Sequence, residues 1–191
     1  MMLFATSLFG ATILTENFDE LTAVLGVTSA GAFSTINGTN VDIVGPGDGF
    51  GYLCAAPESG NCIDLDGSNG NPQGQLQSNL ALSAGNYLLS FDLIGSGRGA
   101  TASATVTLGN YDQTFTLTSG DVSTGIVVNA PVTVTGTSHL LFVSNTPGEV
   151  GLVLDNVSVS TAASGVPEPS SILLIGSGLL LTGLGLARRK T

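Results

Sequence analysis

The sequence predicts an all-β fold, a two-sheet antiparallel sandwich, followed by a single C-terminal transmembrane helix. Three observations carry the sandwich. Gly, Ser, Thr, Asn and Val dominate while Lys and Glu are scarce, which disfavours helices and favours strands joined by turns. Period-2 alternation of apolar and polar residues recurs along the body. Turn signals separate these runs: Asp48-Gly49, Asp66-Gly67-Ser68-Asn69-Gly70, Gly95-Ser96-Gly97, Gly109-Asn110, Ser119-Gly120-Asp121 and Pro147-Gly148. Many short strands at this spacing suit a jelly-roll-like arrangement. A chain of 191 residues has room for one such core and short appendages.

Residues 1–11 are small and apolar, with Ala11 at a possible signal-peptidase position. They lack the basic start and the long apolar stretch of a complete leader, so they read as the remnant of a signal peptide. The sandwich is expected over residues 12–160. Leu21 to Val27 reads as a helical turn. In Asn86 to Ile94, Tyr87, Leu89, Phe91 and Leu93 fall on one face, the pattern of a half-buried strand. Ala100 to Leu108 alternates Ala and Val with Thr and Ser, giving one dry and one wet face. Gln113 to Thr118, Ser138 to Val143 and Gly151 to Val159 add three further strands rich in β-branched residues. Residues 161–170 form a linker of small residues that ends in Val166-Pro167-Glu168-Pro169-Ser170.

Pro167 and Pro169 lack N–H donors and push their neighbours toward extended geometry, so Val166 to Ser170 can enter neither a helix nor a sheet interior. Ser170 and Ser171 can cap a following helix. Ser171 to Ala187 would span roughly 25 Å as a helix, enough for a thin bilayer. Arg188, Arg189 and Lys190 would hold its end on the cytoplasmic side. Residues 171–191 therefore read as a transmembrane helix with a basic stop.

These features, taken together and in order, resemble the PEP-CTERM sorting signal of diderm bacteria. The resemblance covers Val166 to Lys190. It implies recognition by an exosortase, a membrane-embedded cysteine transpeptidase, and cleavage near Val166 to Ser170. It also implies an inner-membrane-inserted precursor whose body is exported to the cell surface or an exopolysaccharide matrix.

Charge is uneven. Arg188, Arg189 and Lys190 are three of the four basic residues, which leaves Arg98 in the body against thirteen of the fourteen acids. Such a body repels phosphate backbones, so nucleic acid is not an expected partner. Cys54 and Cys62 flank a short loop-like stretch without further soft ligands, and in an oxidising compartment they would pair as a disulfide.

Signatures of catalysis are missing from the sequence: no nucleophile elbow, HExxH or phosphate loop is present. His139 lies beside Leu140, Leu141 and Phe142 and reads as a sheet-surface residue. Asp64 and Asp66 alternate with Ile63 and Leu65, so the acids are expected to face outward as ordinary strand residues before a turn. The expected protein is not an enzyme. Asp155 falls on the face of Val153, Val157 and Val159 by strict alternation, and a carboxylate on an apolar face needs a partner. Leu152 and Leu154 make the opposite face apolar too, which leaves the assignment open.

The Asn17-Phe18-Asp19 entry, the Leu88 to Leu93 strand and the Leu154 to Ser158 exit resemble galactose-binding-like jelly-roll modules. That resemblance implies a structural calcium near the meeting chain ends, with Glu16, Asp19 and Asp155 as its ligands. It also implies carbohydrate binding as the alternative role of the body. No Trp is present, so Tyr52 and Tyr111, both near turns, are the candidate glycan contacts.

Overall fold

A computed structural model describes residues 10–46, 50, 54, 60–68, 73–122 and 126–162, with main chain alone at 122, 126 and 127. The signal-peptide remnant up to residue 9, Tyr52, Val166 to Ser170 and the apolar and basic tail lie outside the described residues. No helix among the described residues is long and apolar enough to cross a membrane.

Thirteen strands follow one another: β1 (Thr12–Glu16), β2 (Val24–Val27), β3 (Ser29–Ala30), β4 (Phe33–Thr35), β5 (Val41–Val44), β6 (Cys62–Asp64), β7 (Gln75–Ser78), β8 (Gly85–Ile94), β9 (Ala102–Leu108), β10 (Tyr111–Leu117), β11 (Ile126–Val134), β12 (Leu141–Ser144) and β13 (Val153–Thr161). A short 3-10 helix, Ser119–Val122, joins β10 to β11. Where a helical turn is expected over Leu21 to Val27, the chain instead places the edge strand β2 against β5. Val24 and Val27 supply β-branched side chains, and the ladder to β5 gives this short segment hydrogen bonds that one helical turn would lack.

The strands form two antiparallel sheets. The first runs β11-β8-β13-β6-β5-β2, with β1 added beside β13, and the second runs β10-β9-β12-β7-β4-β3. Between them lies the main core. An aromatic chain crosses it: Phe18 meets Phe33 at 6.1 Å, Phe33 meets Phe142 at 6.1 Å, Phe142 meets Phe91 at 5.3 Å and Phe91 meets Phe115 at 5.9 Å between centroids. Phe91 comes from the first sheet and Phe33, Phe142 and Phe115 from the second, so these contacts tie the sheets together. Tilted and edge-on ring pairs of this kind add to the burial of their area. The alternation read in β8 holds, with Tyr87, Leu89, Phe91 and Leu93 all buried.

Strand β13 changes partners along its length. One side pairs with β8 throughout; the other pairs with β6 through Val153 and Leu154, then with β1 through Val157 to Ser160. At the change one extra residue is inserted between Asp155 and Ser158, and Asn156 takes a φ of 51°. This bulge shifts the side-chain phase. Leu152 and Leu154 before it and Val157 and Val159 after it therefore all join the main core. Asp155 goes with Val153 to the outer face and does not share a face with Val157 and Val159, as unbroken alternation requires.

The outer face of the first sheet is also covered at one end. Val44, Cys62, Ile94 and Val153, pointing away from the main core, form a second apolar cluster with Cys54, and Phe50 packs against it. Cys54 and Cys62 are disulfide-bonded, with a Cα–Cα distance of 5.6 Å.

Candidate functional site

Cross-strand register builds the most distinctive polar site on this covered outer face. Asp42 of β5 stands opposite Asp64 of β6, and Asp64 stands opposite Val153 of β13. Asp66 follows two residues beyond Asp64. Alternation aims Ile63 and Leu65 into the main core and sends the acids the other way. The outer face here is not water, however: Asp42, Asp64 and Asp66 are 3%, 1% and 0% exposed. Burying a carboxylate this deeply costs several kcal/mol unless it is partnered, so the partners decide what each acid does.

Asp42 is saturated. Its Oδ1 accepts the Gly26 N–H at 2.6 Å and the Ser68 N–H at 3.0 Å, and its Oδ2 accepts the Ser68 hydroxyl. It thereby ties β2, β5 and the turn after β6 into one unit. Asp64 is saturated as well. Its Oδ1 accepts the Asp66 and Gly151 N–H groups, each at 3.1 Å, and its Oδ2 pairs with the Arg98 guanidinium. Residue 151 must lack a side chain, because a Cβ there would lie 2.6 Å from the Asp66 nitrogen and 2.7 Å from Asp64 Oδ1. Arg98 is held in a tight turn, where the Ser96 hydroxyl accepts the Arg98 N–H at 3.3 Å and donates to the Ala100 carbonyl at 3.0 Å.

Asp66 differs from both. Neither of its oxygens makes a well-formed hydrogen bond, although the Ser144 hydroxyl and the Gly74 N–H stand nearby, and Arg98 Nε is likewise buried without a partner. Burial pushes the Asp66 carboxyl up to about 7; the Ser144 hydroxyl, the Arg98 charge and the Gly74 N–H lower it too little to offset this, and the neighbouring Asp64 raises it further. Burial lifts Asp64 to about 6, with Arg98 holding it below where burial alone would take it.

A small pocket of about 30 Å³ opens here, lined by Leu25, Asp42, Val44, Phe50, Asp64, Ser68 and Arg98. That space suits one or two waters rather than a sugar ring. Two glycosidase carboxylates must face each other across a cleft, whereas Asp64 and Asp66 sit on one segment and Asp64 is bound to Arg98. Asp92, on β8, accepts the Asn156 side-chain amide at 2.9 Å. The arrangement can fasten chain segments together and exchange protons.

Among the described residues, those nominated from the sequence do not form one group of metal ligands. Glu16 uses Oε1 to accept the Phe18 N–H at 3.0 Å and Oε2 to accept the Ala32 N–H at 2.8 Å. It packs over Gly31, whose φ is 56° and where a Cβ would fall 1.9 Å from Glu16 Oε2. Asp19 is exposed and accepts the Asn17 side-chain amide at 2.8 Å. Asp155 accepts the Asn156 N–H at 2.7 Å on the outer face of the first sheet. These three do not gather as a ligand set, and among the described residues no three Asp, Glu, His or Cys side chains do. Glu16 is occupied in fastening backbone, and Asp155, itself buried, stays on the face of Val153 while the bulge moves Val157 and Val159 to the other face. Tyr111 is half-buried against the main core, with burial raising its hydroxyl pKa. His139 Nδ1 contacts the Ser78 carbonyl at 2.7 Å. The sequence reading missed the Asp42–Ser68 and Asp64–Arg98 links. The signal available was Val41-Asp42-Ile43-Val44, whose apolar residues point both ways and mark a strand covered on both faces.

Comparison with known proteins bears on both parts of the chain. Residues 165–190 match the family model described as the PEP-CTERM protein-sorting motif. The chain carries a PEP-CTERM sorting motif. The motif implies an exported protein, processed by an exosortase and directed to the cell envelope or surface. No curated protein matches the chain. Among solved structures, the body of this PEP-CTERM protein is similar to the CBM22-1 xylan-binding domain from Paenibacillus barcinonensis Xyn10C. That match has a TM-score of 0.52 and 13% identity, covering 84% of this chain and 100% of that one. The K1 cleaved adhesin domain of Lys-gingipain from Porphyromonas gingivalis W83 matches with a TM-score of 0.50 and 18% identity, over 80% of this chain and 99% of that one. The CBM22-1-CBM22-2 tandem of the same Paenibacillus protein matches at 0.51 and 16% identity, over 86% of this chain and 49% of that one. At these identities the likeness is one of fold, a jelly-roll β-sandwich.

Proposed function

We propose that this PEP-CTERM protein is a non-catalytic component of the cell surface or exopolysaccharide matrix. Its precursor is inserted in the inner membrane through residues 171–187, with Arg188, Arg189 and Lys190 in the cytoplasm. Exosortase acts near Val166 to Ser170 and frees the β-sandwich outside. The observation that carries this reading is the sorting motif over residues 165–190. In a host with an exosortase, Glu168→Ala should leave the full-length form in the membrane fraction and deplete the surface. Unchanged processing and surface yield would refute the reading.

A second reading, carbohydrate binding by the body, is favoured by the fold shared with a xylan-binding domain. Tyr52 and the half-buried Tyr111 are the aromatic contacts in this reading. Micromolar binding on a glycan array that is lost in Tyr52→Ala supports it, and no binding to any glycan removes it. Structural calcium belongs to the same reading. The described carboxylates offer no three-acid site, so backbone carbonyls would have to complete the shell around Glu16, Asp19 or Asp155. Chelator should then lower the melting temperature; no change would exclude the ion.

A further inference from the structure

Asp66 is the buried group whose chemistry the rest of the fold leaves unexplained. It is fully buried, neither carboxylate oxygen makes a well-formed hydrogen bond, and Arg98, though it also acts on Asp66, is paired directly with the adjacent Asp64. Asp42, held opposite Asp64, adds further negative potential and acts on Asp64. The remaining neighbours, Ser144, Gly74 and Gly151, bring no charge. Ionised, Asp66 would be a third carboxylate beside a single cation in a dry site, a costly state. As a neutral acid it avoids both the desolvation cost and the repulsion from Asp64.

Asp66 also begins the turn whose Ser68 lines the pocket, although Asp66 itself does not line it. Two residues on, Ser68 donates through its N–H and its hydroxyl to Asp42. The Asp66 N–H is itself bound to Asp64. Asp66 is held by an isolated β-bridge to Gln73, whereas Ser68, two residues on, lies outside any strand or bridge, where local opening is less costly than in the ladder. We propose that Asp66 is a proton-dependent latch: as a neutral carboxylic acid it keeps the Asp66–Ser68 turn seated on Asp42 and Asp64, and on losing its proton it releases that turn and opens the pocket beside Phe50 and Arg98. The exported body would thus respond to the acidity of its surroundings. Burial lifting this carboxyl to about 7 places the transition near neutrality.

Hydrogen-exchange protection of the Ser68 amide, measured by NMR on the full chain in detergent micelles, tests the latch. With the carboxyl near its ordinary 3.8 in the open turn and about 7 in the closed one, opening becomes about tenfold easier for each pH unit between them, so protection should fall roughly a hundredfold between pH 5 and pH 8. Amides in the middle of β8 should keep theirs. Asp66→Asn, which cannot ionise, should abolish the Ser68 difference. Equal protection at both pH values, or an undiminished difference in Asp66→Asn, overturns the proposal. Should that variant fail to fold, the carboxyl carbon shift of Asp66 in the parent chain decides: a midpoint near the ordinary carboxylate value overturns the latch, and one near neutrality supports it. Restoration of protection by calcium at pH 8, lost in Asp66→Asn, would mean that a cation replaces the proton and would overturn a purely proton-driven release.

Discussion

Replacing Arg98 by methionine keeps most of the side chain's apolar length but removes the guanidinium from Asp64, which is 1% exposed. Losing one member of a fully buried pair costs about 3–5 kcal/mol, because the other charge is stranded. The Arg98 side chain is 25% exposed, so water already screens the pair and the expected loss is smaller. We expect about 2–3 kcal/mol at pH 8, or roughly 5–10 °C in melting temperature for a chain of this size. The loss must depend on pH. Burial lifts Asp64 to about 6 in the folded protein, above the ordinary value of 3.8, so the folded state holds this proton more tightly than the unfolded chain. Stability from this group therefore rises as pH falls through about 6 and declines again as pH rises. Without Arg98 the carboxyl moves higher still, and at pH 5 a neutral Asp64 no longer needs the cation. The Arg98→Met deficit should shrink to under about 1 kcal/mol at pH 5. Urea unfolding followed by far-UV circular dichroism at both pH values measures it. Equal deficits at pH 5 and pH 8, or none at pH 8, would falsify the view that Arg98 serves chiefly as the counter-ion of Asp64.

Two further outcomes follow from the same fold. Cys54→Ser with Cys62→Ser should lower stability by about 2–3 kcal/mol under oxidising conditions, the chain-entropy value for so short a loop; the parent should lose a similar amount on reduction, and the variant none. Asn156→Val forces a β-branched residue into a φ of 51° and removes the amide bound to Asp92. It should cost about 2–4 kcal/mol in denaturant unfolding, while Asn156→Gly should cost less than half of that.

How much of this was legible in the sequence depended on whether the pattern was local. The strand β8 was plain because Tyr87, Leu89, Phe91 and Leu93 alternate without interruption and all reach the core. The end of β13 was not, because an inserted residue at Asp155 and Asn156 reverses the phase that alternation extrapolates. Strand β11 was hidden by Pro131, which breaks the usual strand signature. It is tolerated because β11 lies at the edge of its sheet. The outward direction of Asp64 and Asp66 could be read from Ile63 and Leu65, but their burial could not. It depends on Val44, Cys54, Ile94 and Val153 meeting over that face, and on Gly151 leaving room for the acids. The expected ligand set of Glu16, Asp19 and Asp155 was carried over by position from the resemblance to galactose-binding-like jelly-roll modules, in which the chain ends meet. The strand β1 does pair with β13, yet Glu16 is spent on backbone donors and the buried Asp155 keeps to the face of Val153, opposite the one that Val157 and Val159 take after the bulge.

The central claim is that an acidic β-sandwich is delivered outside the cell by removal of its tail. The most direct test is the intact mass of the protein recovered from the surface or medium of a cell with an active exosortase. The expected product ends near Val166 to Ser170 and lacks the apolar span together with Arg188, Arg189 and Lys190. A surface form that retains Arg188 to Lys190 and the 171–187 segment would contradict it.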